Sequence, residues 1–409
     1  MSDTAPGVSE VAPERHSEKP REKSPRLASL DAYRGFTMLL LAFTVPNWGW
    51  QEPIAQANES LRPLLDQFEH AAWRGLTVWD MIQPSFMFMV GVAAPFSYAS
   101  RKRRGATDRQ LWAHAAGRAV ALILLGVFLR SLGRDATYWT LEDVVTQIGL
   151  SYLPLFWLAT QPTRMRLITL AALLMSVWAL FALWPVPAEP GSAAVLHFDG
   201  FWAHWNQNTG PGHALDLWLL NSLPRSEPFV GHVEGYNTLN FVPSLATMLL
   251  GLMAGAQLWS LTAAEGGAAG LGIVGRLIGY GLALLAIGLL LDQLGVCPIV
   301  KKLWTPSFVL VSGGLSLWLL ALLYAVIDMA GWRSWAWPAE VVGRNPLAMY
   351  FMTWAVAGWV LAALQRHLGC DVFQTLGDAY APLLGNLAVG LVLWMICWWM
   401  DRNRAYVRL

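Results

Sequence analysis

Residues 303–327 read LWTPSFVLVSGGLSLWLLALLYAVI and contain no aspartate, glutamate, lysine or arginine. An α-helix needs about 20 predominantly apolar residues to cross the hydrocarbon core of a bilayer. A continuous run of this length therefore predicts a transmembrane helix. The strands of an outer-membrane β-barrel would instead alternate apolar and polar residues over about ten positions.

The same pattern recurs along the whole chain. Ten runs lack charged residues: 35–51, 81–100, 119–129, 144–163, 167–188, 235–264, 277–291, 303–327, 345–365 and 379–400. Two of these runs, 119–129 and 277–291, are short. Arg118 and Arg276 flank them, and their long side chains can reach the membrane–water interface. The sequence therefore predicts an all-α, polytopic integral membrane protein with ten transmembrane helices.

The composition of the 409 residues agrees with a membrane protein. Apolar residues make up 55% and charged residues 13%, and this charged share is about half that of a typical globular chain. The net charge of +1 gives no support to nucleic-acid binding. The bilayer is therefore the expected partner for most of the surface.

The distribution of basic residues predicts the orientation. With ten crossings, both termini lie on one side, and the segments on that side hold 20 of the 28 lysines and arginines. Cytoplasmic loops carry the excess of basic residues. We therefore predict that both termini are cytoplasmic, which places the basic cluster at 101–104 inside.

The regions flanking the runs divide the chain. Residues 1–26 are rich in Pro, Ser, Glu, Lys and Arg, which predicts a disordered cytoplasmic tail without the apolar core of a signal peptide. Residues 27–409 form the membrane domain, with an outer loop at about 187–234.

Cys297 and Cys370 both fall on the outer side of the membrane, so a disulfide between them is left open.

No metal site is predicted for the outer loop. It contains four histidines, His197, His204, His213 and His232. Their spacings match no standard zinc pattern.

The first cluster of polar residues opens the first helix. Asp31 and Arg34 are three positions apart, so they share a helix face and can form an ion pair. Gly35 permits close approach of another backbone. Asn47 brings an amide to the far end of this helix, where it is either a functional group or a turn residue.

The second cluster surrounds the start of the second run. Asp80 is a carboxylate entering an apolar helix, and such a group usually faces the interior of the bundle and marks a functional site. His70 lies just before it, and a histidine is a natural general base near neutral pH. Taken alone, His70 is more typical of an ordinary loop histidine, and the combination with Asn47 and Asp80 favours the functional interpretation.

The third cluster lies at the outer end of the eighth run. Lys301 and Lys302 lie there although most basic residues are expected on the opposite side of the membrane. Trp304 and Ser307 follow them. Polar residues also occur inside other runs, namely Gln147, Asn240 and Asn345. Amides of this kind can simply bridge neighbouring helices.

These clusters together resemble one family. The segments Ser29–Gly35, Asn47, His70–Gly91, Leu303–Ser307 and Gly343–Asn345 are similar to those of the heparan-α-glucosaminide N-acetyltransferase family, and the resemblance covers the chain from about Leu27 onward. It implies a transmembrane acyltransferase domain over 27–409. It also implies that the chain resembles the bacterial members, so the expected location is the bacterial inner membrane.

The resemblance also implies an activity. Members transfer an acetyl group from cytosolic acetyl-CoA to an acceptor across the membrane, so the implied partners are acetyl-CoA and a sugar or glycan bearing an amine or hydroxyl. The catalytic histidine of the family corresponds to His70 and its asparagine to Asn47. From its position, Asp80 is expected either to orient His70 or to pair with an arginine. His70 would act as general base or as transient acetyl carrier, two routes that stay open.

The substrate-contacting residues are predicted from the clusters above, and among them Lys301 also corresponds to a lysine of the family. The acceptor is expected to contact residues of the third cluster and the intramembrane amides: Lys301, Lys302, Trp304, Ser307, Asn345 and Gln147. The phosphates of acetyl-CoA are expected to bind basic residues at the cytoplasmic mouth: Arg34, Arg101, Arg103, Arg104 and Arg344. The chain departs from the family at Gln83, Ile148 and Lys302, which leaves the identity of the acceptor open.

A second class of function is compatible with the same residues. A transporter or flippase of sugars or lipid-linked intermediates would use Asp80 and His70 as a proton relay. Homo-oligomerisation is also left open by the sequence.

Overall fold

The computed structural model describes residues 27–262 and 267–407. The predicted tail at 1–26 lies outside the described residues. The described part of the chain forms fifteen α-helices and no β-strand, with a single bridge between Val195 and Gln207. The helices are α1 (Ala28–Ala42), α2 (Gln51–Ala57), α3 (Arg62–Leu65), α4 (Ile82–Arg103), α5 (Asp108–Ser131), α6 (Val144–Ala159), α7 (Thr163–Ala182), α8 (Pro211–Asn221), α9 (Phe241–Thr262), α10 (Gly267–Gln293), α11 (Pro306–Leu323), α12 (Trp337–Gly343), α13 (Pro346–Ala355), α14 (Ala357–Leu368) and α15 (Ala381–Arg402).

Among the described residues, six helical segments are long and apolar enough to cross a membrane. They are Asp108–Ser131, Thr163–Ala182, Thr238–Ser260, Gly270–Gln293, Pro306–Met329 and Asp378–Arg402. The pair α13 and α14, bent by 62° at Val356, makes a seventh if both halves belong to one span. The chain is therefore a helical integral membrane protein. The other predicted runs also fall on helices, but α1 and α6 are short, with 15 and 16 residues.

Helix α4 packs directly against α9 through glycines. A Cβ atom on Gly91 would lie 1.9 Å from the carbonyl oxygen of Met248, and one on Gly251 would lie 2.0 Å from the carbonyl oxygen of Phe88. Small residues at such positions let two backbones approach closely, which is how helices gain packing energy in lipid. The two helices therefore form a tightly packed central pair.

Helix α1 makes an equally close contact with α12. A Cβ atom on Gly35 would lie 1.7 Å from the carbonyl oxygen of Ala339, and one on Gly343 would lie 1.7 Å from that of Asp31. This confirms the expected close approach at Gly35. The predicted ion pair between Asp31 and Arg34 is also present, at 3.6 Å.

The long segment between α7 and α9 covers one end of the bundle. It contains a 3-10 turn at Gly200–Trp205 and the helix α8. Trp205 is buried, and its carbonyl oxygen accepts a hydrogen bond from the indole of Trp73 at 3.0 Å. The segment is thereby joined to the polar residues that precede α4.

The disulfide between Cys297 and Cys370 that the sequence leaves open is not formed. Cys297 is buried and Cys370 is exposed, and both are free thiols.

Adding one methyl group at Gly91 tests the α4–α9 contact. Gly91→Ala should destabilise the protein by about 1–3 kcal/mol, because the backbones must separate to admit the Cβ atom. The expected observation is a lower Tm in detergent by differential scanning fluorimetry. Gly117→Ala in α5 is the matched control, since a Cβ atom there meets no heavy atom within 4 Å. Equal Tm values for the two variants would contradict this packing.

Candidate active site

A buried carboxylate organises the residues that precede α4. Asp80 Oδ1 lies 2.7 Å from His70 Nδ1 and 3.2 Å from Lys301 Nζ. Its Oδ2 accepts backbone hydrogen bonds from Ala71 at 3.1 Å and Thr77 at 3.2 Å. The side chain of Asp80 is 1% exposed and that of Lys301 is 7% exposed. Both charges are therefore withdrawn from water and satisfied by each other and by the backbone.

The hydrogen-bond partners of His70 indicate its tautomer. Asp80 accepts at Nδ1, and the indole Nε1–H of Trp79 donates to Nε2 at 3.2 Å. With Asp80 accepting at Nδ1 and Trp79 donating to Nε2, the proton lies on Nδ1 and the lone pair on Nε2. Lys301 Nζ, 3.1 Å from Nδ1, then donates to Asp80 Oδ1 and not to the ring. The reactive lone pair of this histidine is therefore Nε2, and the Trp79 indole covers it.

Burial and charge shift the pKa values of this cluster. Burial lowers the pKa of His70, the hydrogen bond to Asp80 offsets part of that effect, and the charge of Lys301 lowers it further. Burial alone would raise the pKa of Asp80, but the hydrogen bond from His70 and the charge of Lys301 outweigh it and bring the pKa to about 2. At neutral pH, His70 is therefore uncharged beside an ionised Asp80.

The loop that carries Lys301 is fixed against the residues that follow His70. Arg74 forms a two-pronged ion pair with Asp292, with N–O distances of 3.1 and 2.6 Å. Asp292 also accepts from the backbone N–H of Ile299 at 2.9 Å, and the backbone N–H of Gly75 donates to the carbonyl oxygen of Ile299 at 2.9 Å. Because these bonds join the two loops directly, they hold Lys301 beside Asp80.

The cluster opens into a cavity of about 390 Å³, which we call the His70 cavity. Its polar or aromatic lining residues are Trp48, His70, Trp79, Gln83, Arg130, Glu142, His232, Glu234, Tyr236, Lys301 and Trp354. Glu142 and His232 form a second carboxylate–histidine pair in this wall, at 3.3 Å. The cavity therefore offers both hydrogen-bond donors and acceptors around His70.

A chain of cavities continues from there along α4. A narrow cavity of about 60 Å³ shares Gln83 and Arg130 with the His70 cavity and is also lined by Asp143 and Tyr350. It shares Phe86 with a third cavity of about 360 Å³, which we call the arginine cavity. Four guanidinium groups line the arginine cavity, those of Arg34, Arg101, Arg118 and Arg344.

Comparison with known proteins bears on this arrangement. The chain is 26% identical over 395 residues to heparan-alpha-glucosaminide N-acetyltransferase of Homo sapiens, covering 84% of this chain and 56% of that protein. It is 26% identical over 403 residues to the Mus musculus protein of the same name, covering 85% and 57%. The chain is related to heparan-alpha-glucosaminide N-acetyltransferase. It spans slightly more than half the length of these curated relatives, and no protein-family model matches it.

The side chain of Asn47, which the resemblance pairs with His70, contacts other residues, although the ring of its neighbour Trp48 lies 5.9 Å from that of His70. Its side-chain amide donates to the carbonyl oxygen of Pro382 at 3.0 Å, and its backbone N–H donates to Asn386 Oδ1 at 2.6 Å. The residues that line the described His70 cavity include its neighbour Trp48 but not Asn47. In this state the amide joins α1 to α15, and its catalytic role stays a prediction.

Among the predicted acceptor-binding residues, only Lys301 lines the described His70 cavity. Lys302 donates to the carbonyl oxygen of Ala72 at 3.3 Å. Trp304 is fully buried, has a positive φ of 50° and donates from its indole to Thr247 at 3.1 Å. These contacts show that Lys302 and Trp304 stabilise the loop and do not line the described His70 cavity.

The remaining three predicted acceptor-binding residues connect backbone segments. Ser307 donates to the carbonyl oxygen of Cys297 at 2.7 Å. Gln147 donates to the carbonyl oxygen of Asn237 at 3.2 Å. Asn345 donates to the carbonyl oxygen of Ala405 at 3.0 Å and accepts from the backbone N–H of Val407 at 3.0 Å. The bridging alternative that the sequence raises for Gln147 and Asn345 therefore describes the contacts of these two amides.

The predicted donor-binding arginines separate into two groups. Arg34, Arg101 and Arg344 line the arginine cavity, whereas Arg103 and Arg104 are exposed. Arg103 lies over the ring of Trp259, and Arg104 donates to Ser100. Arg103 points to a different face of α4 from Arg101, and Arg104 follows the last residue of the helix.

Several cavity residues were missed in the sequence. Arg118 was interpreted only as a residue that reaches the interface, and His232 only as a loop histidine. Arg130, Glu142 and Tyr236 carried no motif at all. Their common signal is a polar residue at the end of an apolar run, but many other residues in the chain share this position.

Removing the charge of Lys301 tests the electrostatics of the cluster. Lys301→Met should raise the pKa of His70, because a cation 3.1 Å from Nδ1 no longer opposes protonation. The midpoint, which is the pH at which His70 is half protonated, is measured by NMR titration of histidine-labelled protein. The signal that is missing from the His70→Ala spectrum identifies His70.

Two further variants control this experiment. Lys302→Met should leave the midpoint unchanged, since the Lys302 ammonium contacts the Ala72 carbonyl oxygen instead. Lys301→Arg keeps the charge and should retain a low midpoint. A His70 midpoint that does not rise in Lys301→Met would show that the lysine is not part of this cluster.

Proposed function

We propose that the chain is a membrane-embedded acetyltransferase. It would transfer an acetyl group from acetyl-CoA to an amine or hydroxyl of a sugar or glycan. The observation that carries the proposal is the succession of cavities along α4, which connects four arginines at one end with the His70–Asp80–Lys301 cluster at the other. The names of the curated relatives support the same reaction class, and the transporter hypothesis gains no support from them.

The arginine cavity suits the nucleotide end of the donor. Acetyl-CoA carries several phosphate charges, and guanidinium groups bind phosphates with two parallel hydrogen bonds. Arg118 donates to the hydroxyl of Tyr152 at 3.1 Å and lies over its ring, which orients the guanidinium. Arg344 is oriented by ion pairs with Glu340 and Asp401. These supports favour a preorganised anion site.

The pantetheine arm would follow α4 through the narrow cavity. Gln83 and Arg101 are 18 residues apart on this helix, so the two ends are separated by roughly 27 Å along its axis. An extended, flexible chain of amides and methylenes suits a narrow passage lined by both polar and apolar side chains. The thioester would then emerge beside His70.

His70 would act through Nε2. As general base, Nε2 takes the proton of the acceptor amine or hydroxyl while the acceptor attacks the carbonyl carbon, the carbon–sulfur bond breaks and CoA leaves as the thiolate. As acetyl carrier, Nε2 attacks the thioester itself and later passes the acetyl group to the acceptor. In both routes Asp80 holds the Nδ1 proton and stabilises the positive ring, and the Trp79 indole must first turn away.

The acceptor would lie in the His70 cavity. Its wall carries Glu142, His232, Glu234 and Tyr236, groups that hydrogen-bond to hydroxyl and amino substituents. An oxyanion donor is also needed, and Asn47 fills this role only if its amide leaves the carbonyl of Pro382.

The topology completes the proposal. We propose ten crossings from the ten charge-free runs, each of which overlaps a described helix, and we place both termini in the cytoplasm from the basic-residue distribution. In this orientation the arginine cavity faces the cytosol and the His70 cavity faces the periplasm of a bacterial inner membrane. The acetyl group would then cross the membrane at the end of the pantetheine arm.

Replacing the proposed base tests the chemistry. His70→Ala should reduce transfer of radiolabelled acetyl groups to amino sugars by at least about 10²-fold, the lower range for loss of a general base. Binding of acetyl-CoA, measured by thermal shift, should persist. His367→Ala, which removes an exposed histidine of α14, is the matched control. Near-normal transfer by His70→Ala would exclude its assigned role.

Replacing one cavity arginine tests the donor site. Arg118→Gln should raise the Kd for CoA about tenfold, the effect of losing one charge-assisted hydrogen bond. Arg109→Gln, which removes an exposed arginine of the same helix, should leave the Kd unchanged. Equal CoA affinity in both variants would show that CoA does not bind in the arginine cavity.

A further inference from the structure

A groove separate from the cavities along α4 lies between α7, α9, α10 and α11. It has a volume of about 550 Å³ and is larger than the His70 cavity or the arginine cavity. All four helices belong to the segments that are long and apolar enough to cross a membrane. The groove therefore lies at the depth of the bilayer.

Most of the groove is apolar. Leu170, Leu250, Met253, Leu284 and Leu317 are among its lining residues. An empty groove of this size would forfeit the dispersion contacts of its lining atoms, and water there would lack hydrogen-bond partners. A hydrocarbon chain satisfies the apolar part of the groove.

One end of the groove is polar and contains a cation. Arg166, near the start of α7, donates from Nε to the carbonyl oxygen of Leu158 at 3.0 Å and from Nη2 to that of Ala159 at 2.9 Å. These bonds fix the guanidinium at the end of α6 and use two of its five N–H groups. The remaining N–H groups suit a phosphate.

An unsatisfied acceptor lies at the same end. Gln257, near the end of α9, lines the groove, and its side-chain oxygen Oε1 is buried with no hydrogen-bond partner in the described part of the chain. A buried acceptor without a donor is costly. The ammonium of an ethanolamine headgroup or the hydroxyl of a glycerol headgroup would supply that donor.

The length of the groove distinguishes a lipid from a partner helix. Leu250 at its apolar end and Ser260, just beyond Gln257 at its polar end, are ten residues apart on α9, or roughly 15 Å along the axis. Half of a hydrocarbon core of about 30 Å is one leaflet, so the groove covers most of one leaflet. A spanning helix of a second copy would need a groove of about twice this length.

We propose that this groove binds one glycerophospholipid of the leaflet on the Arg166 side. Its phosphate pairs with Arg166, its headgroup donates to Gln257, and one acyl chain lies along the leucines. This site is independent of the cavities along α4 and of the acetyltransferase proposal.

Native mass spectrometry of the full chain in detergent tests the site with two added lipids. Palmitoyl-oleoyl phosphatidylethanolamine should occupy one site per chain, and the diacylglycerol with the same acyl chains should bind about tenfold less, because it lacks the phosphate. Equal occupancy by both lipids would exclude phosphate recognition.

Two pairs of variants locate the site. Arg166→Gln should reduce phospholipid occupancy about tenfold, whereas Arg164→Gln, on the exposed face of the same helix, should not. Ala283→Trp fills the groove and should also abolish binding, whereas Ala286→Trp at an exposed position outside the groove should not.

Several results would overturn the proposal. Wild-type occupancy in Arg166→Gln, or an equal loss in Arg164→Gln, would exclude the site. If Ala283→Trp fails to fold, as judged by its Tm, the comparison of Arg166→Gln with Arg164→Gln still tests whether the groove binds phospholipid. If light scattering shows that Ala283→Trp dissociates a dimer while lipid occupancy is unchanged, the groove is an interface between copies of the chain.

Discussion

The carboxylate of Asp80 is 1% exposed, and a buried anion is stable only when cations and hydrogen-bond donors surround it. This requirement determines how two distant loops meet. Lys301, 231 positions after His70 in the chain, must lie over the start of α4 to neutralise the charge. The Arg74–Asp292 ion pair and the backbone bonds of Gly75 and Ile299 then keep the two loops in contact.

Helix α4 connects this cluster to the rest of the protein. The buried cluster precedes its first turn, Gly91 in its middle packs backbone to backbone against α9, and Arg101 in its last turn lines the arginine cavity. Because one helix carries all three features, any displacement of α4 would alter both ends of the cavity series at once. The tight glycine contact restricts such movement, which preserves the distance between the arginine cavity and His70.

Polar residues inside the bundle serve two different purposes. Gln147, Ser307 and Asn345 each donate to a backbone carbonyl of another segment, as expected where little water is available to satisfy such groups. His70, Lys301 and Arg130 instead line a cavity. The residue type is similar in both groups, and only the neighbours distinguish a structural amide or hydroxyl from a group that can contact a substrate.

The sequence by itself determined the helical membrane class, the close approach at Gly35 and the Asp31–Arg34 pair, and it predicted His70, Asp80 and Lys301 as site residues. These features depend on local composition and spacing, since a long apolar run or a charge within one is visible without neighbours. Only the tertiary structure separated Arg101 from Arg103 and Arg104, brought Arg118 and Glu142 into cavities, and joined Asn47 to α15. Those outcomes depend on which helix face meets which partner, and in lipid this is decided by packing between segments that are distant in the chain.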